Sequence, residues 1–241
     1  MISLHPGKYR QVLRNCLQNH SYQGEEGLFE EIIAQISNLP VTAPEVELPL
    51  QRDLLFTQLL FYLNAGKFEK GLALAPRVEV FLGESTEHLT DLWTLSFYYN
   101  LCLIHFVLEQ SSGALKWVNA IINHERSQVR ADIQYGARII RLLVHFDLGN
   151  YDVLDYLLRS TLDYCGKDPG YKALAQITVR CLREQLAAAS VGPDRFAQAA
   201  EEVREAGLEK LQDHLAVLIW LDSRGTQMSL TETARAKLAR T

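Results

Sequence analysis

An all-α fold built from antiparallel helix pairs is predicted by three observations. Apolar residues recur at spacings of three and four through runs of helix length, such as "DLLFTQLLFYLNA" and "DLWTLSFYYNLCLIHFVLE". No segment sustains an apolar and polar alternation with β-branched residues, so no strand is expected. A short turn pattern also returns at an interval in the helical-pair range.

That pattern is a glycine, any residue, an aromatic, two residues, then a small or aliphatic residue. It reads "GLFEEI" at Gly27 to Ile32, "GKFEKG" at Gly66 to Gly71 and "GNYDVL" at Gly149 to Leu154. Weaker copies are "QSSGAL" at Gln110 to Leu115 and "DRFAQA" at Asp194 to Ala199. Phe29, Phe68, Ser111, Tyr151 and Phe196 follow one another at 39, 43, 40 and 45 residues. Each copy is expected to be a tight turn: the glycine ends one helix in the left-handed conformation, and the aromatic opens the next and packs back on the first.

Taken in order, the pairs fall at 5–38, 49–82, 87–123, 128–165, 170–206 and 208–240, within one domain over 1–241. "NLPVTAPEVELP" (Pro40, Pro44, Pro49) separates the first pair from the second, and "LGEST", "NHERS" and "GKDPGY" separate later ones. Pro169 and Pro193 suit the first turn of a helix, whereas Pro76 lies within one and predicts a kink or break. "SLTE" at Ser229 to Glu232 is a capping box for a last helix reaching about Arg240, and Leu208 to Ser223 forms the helix before it.

Composition narrows the function classes. With 48% hydrophobic and 22% charged residues among 241, the chain can bury a large core. A net charge of −5 argues against a surface that grips nucleic acid, since that binding depends on Lys and Arg meeting phosphates. Cys16, Cys102, Cys165 and Cys181 form no CxxC pair, all but Cys16 lie in apolar helix-forming runs, and they read as reduced core thiols. "MISLHPGKYRQVLRNCLQNH" lacks the features of a secretory signal, so a cytoplasmic location is expected. Seventeen uncharged residues lie between Asp91 and Glu109, borderline short for a bilayer. Thr94, Ser96, Asn100 and His105 within that run favour a helix buried inside the fold, with no membrane contact.

"GKFEKGLAL", "SSGALKWV" and "GNYDVLDYLL" resemble the turn and second helix of tetratricopeptide repeats, lengthened to about forty residues. From Phe97 to Tyr164 the chain resembles an uncharacterised bacterial group of tetratricopeptide-like proteins, of the Bacteroidetes type. The resemblance implies a right-handed superhelix, a solenoid of about eleven or twelve helices, acting as a protein-interaction scaffold. It carries over no catalytic residue. Ser111 in place of the aromatic, and unequal repeat lengths, depart from the pattern.

Candidate contact residues come from the repeat register. His105 and His145 lie six residues before their reference positions, as Tyr62 does before Phe68, a column that reads as packing. Arg130, Gln134, Arg138, Arg141 and His145 follow steps of four, four, three and four, which sets them on one helix stripe. Arg180 and Arg183 repeat Arg138 and Arg141 after 42 residues. Upstream, the stripe reads Thr94, Tyr98, Leu101 and His105, then Gln51, Leu55, Gln58 and Tyr62. Buried unpaired charge is costly, so the arginines must meet water, a partner or acids. Facing a groove, Tyr98, His105, Arg138, Arg141, His145, Arg180 and Arg183 would bind an acidic or phosphorylated segment; facing the adjoining helix, the arginines would pair with its acids. Strict tetratricopeptide register instead turns Phe56, Leu60, Tyr99, Leu103, Ile139 and Leu143 toward the groove.

No enzyme signature stands out. Paired ExxH and HExxH metal motifs are absent, and no glycine-rich phosphate loop follows a strand. The expectation is a non-catalytic adaptor that holds a protein or peptide partner, with no metal or cofactor. Two other classes stay open: a sensor of a small anionic ligand or signalling peptide, and a structural subunit that self-associates into a homo-oligomer through "LWTLSFYY" or the last helices. The chain also reads as a piece of a longer repeat array, because an uncapped end exposes an apolar face.

Overall fold

The computed structural model describes Asn15 and residues 26–38, 44–125, 127–187, 192–211 and 213–239. All regular structure among them is helical: α1 (Glu26–Ser37), α2 (Pro44–Asn64), α3 (Phe68–Ala73), α4 (Ala75–Glu84), α5 (Asp91–Val107), α6 (Ser111–Ile122), α7 (Ala131–Asp147), α8 (Tyr151–Cys165), α9 (Pro169–Ala187), α10 (Pro193–Glu205), α11 (His214–Thr226) and α12 (Leu230–Leu238), with a 3₁₀ turn at Ser127–Arg130. The first helix expected from residue 5, Cys16 and Arg126 lie outside the described residues. The chain forms two compact units, Met1–Thr90 and Asp91–Thr241, and within the second each helix packs on the next.

In the first unit the core forms where α1 meets α2. Phe29 stacks on Phe61 with ring centroids 3.7 Å apart, and Tyr62 meets both rings edge-on. Tyr62 keeps a polar end at the rim, donating to Glu30 Oε1 at 3.0 Å, while Lys70 bridges Glu26 and Glu30. Two boundaries differ from expectation. Gly27 sits inside α1 instead of ending a helix, and α2 begins at Pro44 and runs through Pro49. Pro44 stands at the first position, where a missing N–H costs no intrahelical bond, whereas Pro49 is the sixth residue and removes one. The break expected at Pro76 falls at Leu74, between α3 and α4.

In the second unit, α5 is buried on most sides, which accounts for its lack of formal charge between Asp91 and Glu109. Two of its buried polar side chains are satisfied locally: Ser96 Oγ donates to the Leu92 carbonyl, and Asn100 Nδ2 to that of Ser96. No described helix is long and apolar enough to cross a membrane. Pairs α5/α6, α7/α8 and α9/α10 fall within a few residues of the expected boundaries. The last pair starts later, at His214, and returns onto earlier helices. Trp220 Nε1 donates to Asp147 Oδ2 at the end of α7, and Thr231 Oγ1 donates to the Val107 carbonyl at the end of α5. The capping box is present, Ser229 Oγ accepting from Glu232 N and Glu232 Oε2 accepting from Ser229 N.

Three turns share one hydrogen-bond pattern. Lys67, Gln110 and Asn150 donate their backbone N–H to Tyr62, His105 and His145, five residues back. Gly66, Glu109 and Gly149 donate to Leu63, Phe106 and Phe146, and all three adopt positive φ, at 67°, 56° and 68°. This is the glycine-type helix ending, and Glu109 occupies it without being glycine. The column of Tyr62, His105 and His145 therefore marks the carbonyls that close the turns. Gly149→Ala is expected to cost about 1 kcal/mol and Glu109→Gly to gain somewhat less, both read by urea unfolding. A stabilising Gly149→Ala or a destabilising Glu109→Gly would contradict the turn assignment.

Candidate arginine site on α7 and α8

α7 is open on one narrow stripe. Ile133, Gln134, Ala137, Ile139, Ile140, Leu142, Leu143, Val144 and Phe146 are buried, while Tyr135, Arg138, Arg141 and His145 are half-buried. Ile139 and Leu143, the apolar groove residues of strict register, are at 0% exposure, as is Leu101 on α5. On α7 the arginines therefore take the open face.

Gln134 does not share it. The sequence stripe includes this residue, but its side chain is fully buried because both ends are satisfied: Nε2 donates to the Ile121 carbonyl, and Oε1 accepts from Arg138 Nη1 at 2.6 Å. Tyr135 takes the exposed place. Arg130 leaves the stripe too, forking onto Asp132 and donating from Nη1 to Ser96 Oγ.

Arg138 also donates to the Gln134 carbonyl at 2.9 Å, and its guanidinium carbon lies 3.6 Å from the Tyr164 ring centroid. Lys167 stands 4.9 Å from the same ring centroid, and Tyr135 packs against Tyr164 and Tyr171. Arg141 meets no hydrogen-bond acceptor or carboxylate among the described residues. Burial draws both guanidinium pKa values down, and the Arg141 charge adds to the effect on Arg138. Beside Arg138, a surface hollow of about 630 Å³ is lined by Tyr156, Arg159, Ser160, Asp163, Tyr164 and Lys167. Arg159 is paired with Asp155, and Tyr156 is 69% exposed.

The other candidates lie elsewhere or are occupied. Tyr98 packs on Trp117 of α6, with ring centroids 5.3 Å apart. His105 lies over Gly113, where a Cβ would come within 2.2 Å of its ring, and its Nδ1 is 2.9 Å from Gln110 Oε1. This fits the packing reading and accounts for a residue without a side chain on α6. His145 Nδ1 faces Asn150 Nδ2 at 3.2 Å, and burial and Arg141 lower its pKa, so the ring is neutral near pH 7. Arg180 is held by Glu202 of α10, the acid-pairing alternative, and Arg183 is exposed on α9. Arg138 and Arg180, 42 residues apart in sequence, thus meet different neighbours, a tyrosine face in one and a carboxylate in the other.

Tyr156, Ser160, Tyr164 and Lys167 were not singled out by sequence. Part of the signal was available in the turn: Arg141 and Tyr156 lie at nearly matching distances on either side of Gly149, so a hairpin brings them together, whereas the pairing of Arg138 with Tyr164 has no such symmetry. Cys102, Cys165 and Cys181 are buried, and burial pushes each thiol up to about 12, which leaves them unreactive. No group of three or more His, Cys, Asp or Glu among the described residues is placed to hold a metal ion. Arginine neither gives nor takes a proton near neutral pH, so what Arg138 and Arg141 offer is oxyanion binding. The chain matches no known family model, no curated protein and no solved structure.

Proposed function

We propose that the protein is a non-catalytic, cytoplasmic scaffold of tetratricopeptide-like helix pairs that binds an acidic protein segment along the open face of α7 and α8. The observation that carries this reading is the state of Arg141: half-buried, on a helix otherwise enclosed, with no carboxylate to meet it among the described residues. Removing a guanidinium from water without a counter-charge is unfavourable, and a partner's carboxylates or phosphates would supply that charge. Tyr164 under Arg138, and Tyr156 in the same hollow, offer flat, amphipathic contact area at low entropic cost, as at protein interfaces generally. The recurrent turns support the repeat reading, since one hydrogen-bond pattern ends the first helix of three pairs.

Affinity capture from the native cell, with wild type and the Arg138→Ala/Arg141→Ala double variant side by side, tests the site. A partner recovered by wild type should fall at least tenfold with the double variant, the loss typical of two charged contacts. Equal recovery by both proteins would remove α7 from the contact surface.

A further inference from the structure

Gln134 separates the α7 cations from ordinary surface arginines. A fully buried amide is costly unless every polar atom finds a partner, and this one spends its oxygen on a residue at the surface. Through Gln134 the end of α6 is tied to Arg138: the Ile121 carbonyl holds Nε2, and Oε1 with the Gln134 carbonyl holds Nη1. Tyr164 supports the guanidinium from its face. Arg138 is therefore fixed in place before any ligand arrives, with one nitrogen directed inward and with Nε and Nη2 meeting no acceptor among the described residues. Such pre-organisation lowers the entropic cost of binding.

Arg141 lies one turn further along the same stripe, half-buried and without an acceptor among the described residues. Two like charges at this spacing disfavour each other. A carboxylate neutralises one of them, whereas a phosphomonoester at neutral pH carries close to two negative charges and three acceptor oxygens, enough for both forks.

We propose that Arg138 and Arg141 form a binding site for a phosphoryl dianion carried on a peptide side chain, with Gln134 as the positioning residue and Tyr156 and Tyr164 taking the neighbouring apolar residues. The proposal rests on the reading of α7 and α8 as a partner surface and names the chemistry of that partner. The alternative source of the same group is free phosphate or a small phosphate ester.

The test uses the full chain and four probes: a short phosphoserine peptide with valine and leucine flanks, its serine and aspartate forms, and inorganic phosphate. Affinities come from fluorescence anisotropy of labelled peptides, with phosphate as competitor, and arginine Nε–H resonances locate the contact. The phosphopeptide should shift both Arg138 and Arg141 and bind about tenfold more tightly than the serine and aspartate forms. Arg141→Gln should lose about tenfold, Arg141→Lys should recover part of it, and unchanged melting would exclude a folding defect. Affinity should also fall as pH drops through about 6, where the second phosphate ionisation is lost. Equal binding of the three peptides would overturn the phosphoryl site while leaving a peptide scaffold intact. Inorganic phosphate matching the phosphopeptide would overturn the peptide source, and an unaffected Arg141→Gln would overturn the site itself.

Discussion

Replacing Trp220 with alanine is expected to lower the stability of the second unit by about 3–5 kcal/mol, the cost of removing a large aromatic from a closed core. Its side chain is at 0% exposure. Phe146 meets it edge-on with centroids 5.8 Å apart, and Phe196 does so at 5.4 Å, geometries that each add about 0.5–1.5 kcal/mol beyond area burial. The indole N–H donates to Asp147 Oδ2 at 2.9 Å, and Arg224 forks onto the same carboxylate. Three helices, α7, α10 and α11, therefore share this one side chain.

Trp220→Phe separates the contributions. It keeps most of the buried ring and removes the hydrogen bond, so it should cost about 1 kcal/mol from that loss, plus any repacking. Circular dichroism against urea measures both variants without relying on tryptophan emission. A loss below about 1 kcal/mol for Trp220→Ala would mean that α11 contributes little to holding α7, contrary to these contacts.

The packing of α11 on α7 marks where sequence reasoning stops. Helix boundaries from α5 to α10 were legible because turn signals are local: Gly149 adopts positive φ, Pro169 and Pro193 open helices, and Ser229 with Glu232 closes a capping box. Even Ser111, which lacks the aromatic of its counterparts, opens α6 where the repeat interval places it. Nothing local indicates that Thr231 reaches Val107, 124 residues earlier, because that depends on how two finished surfaces fit. The site divides in the same way. Spacing put Arg138, Arg141 and His145 on one face, and they share it. Gln134 shares their spacing but not their exposure, since a carbonyl on α6 and an arginine on α7 make its burial affordable. Arg180 repeats Arg138 in sequence, yet Glu202 of α10 decides its state. Tyr151 follows the aromatic rule and still lies 54% exposed, unlike Phe68 at 1%.

The second large effect is expected from Asp213, and it depends on pH. This carboxyl opens α11 at 1% exposure, with Oδ2 accepting from Tyr171 of α9 at 2.7 Å and Oδ1 lacking a donor among the described residues. It packs against Gly136 of α7 so closely that a Cβ there would come within 1.9 Å of Oδ1. Burial alone pushes its pKa well above the ordinary carboxylate value. Among the described residues no cation opposes that shift, and Tyr171, which bonds the carboxyl, is itself raised by burial and so remains a neutral donor. In the unfolded chain the carboxyl titrates near 3.9. Between that pH and the folded pKa, the native state keeps a proton that the unfolded state has released. Stability therefore falls as pH rises through this window, by up to about 1.4 kcal/mol per pH unit, and levels off above the folded pKa. Asp213→Asn retains a carbonyl for Tyr171 and has nothing to titrate. Urea unfolding of both proteins from pH 4 to pH 9 should show the variant gaining on wild type as pH rises above 4, until the folded pKa is passed and the difference levels off. Parallel pH profiles would mean that the carboxyl reaches water or a cation in the folded state, and the contact of α11 with Gly136 would have to be redrawn.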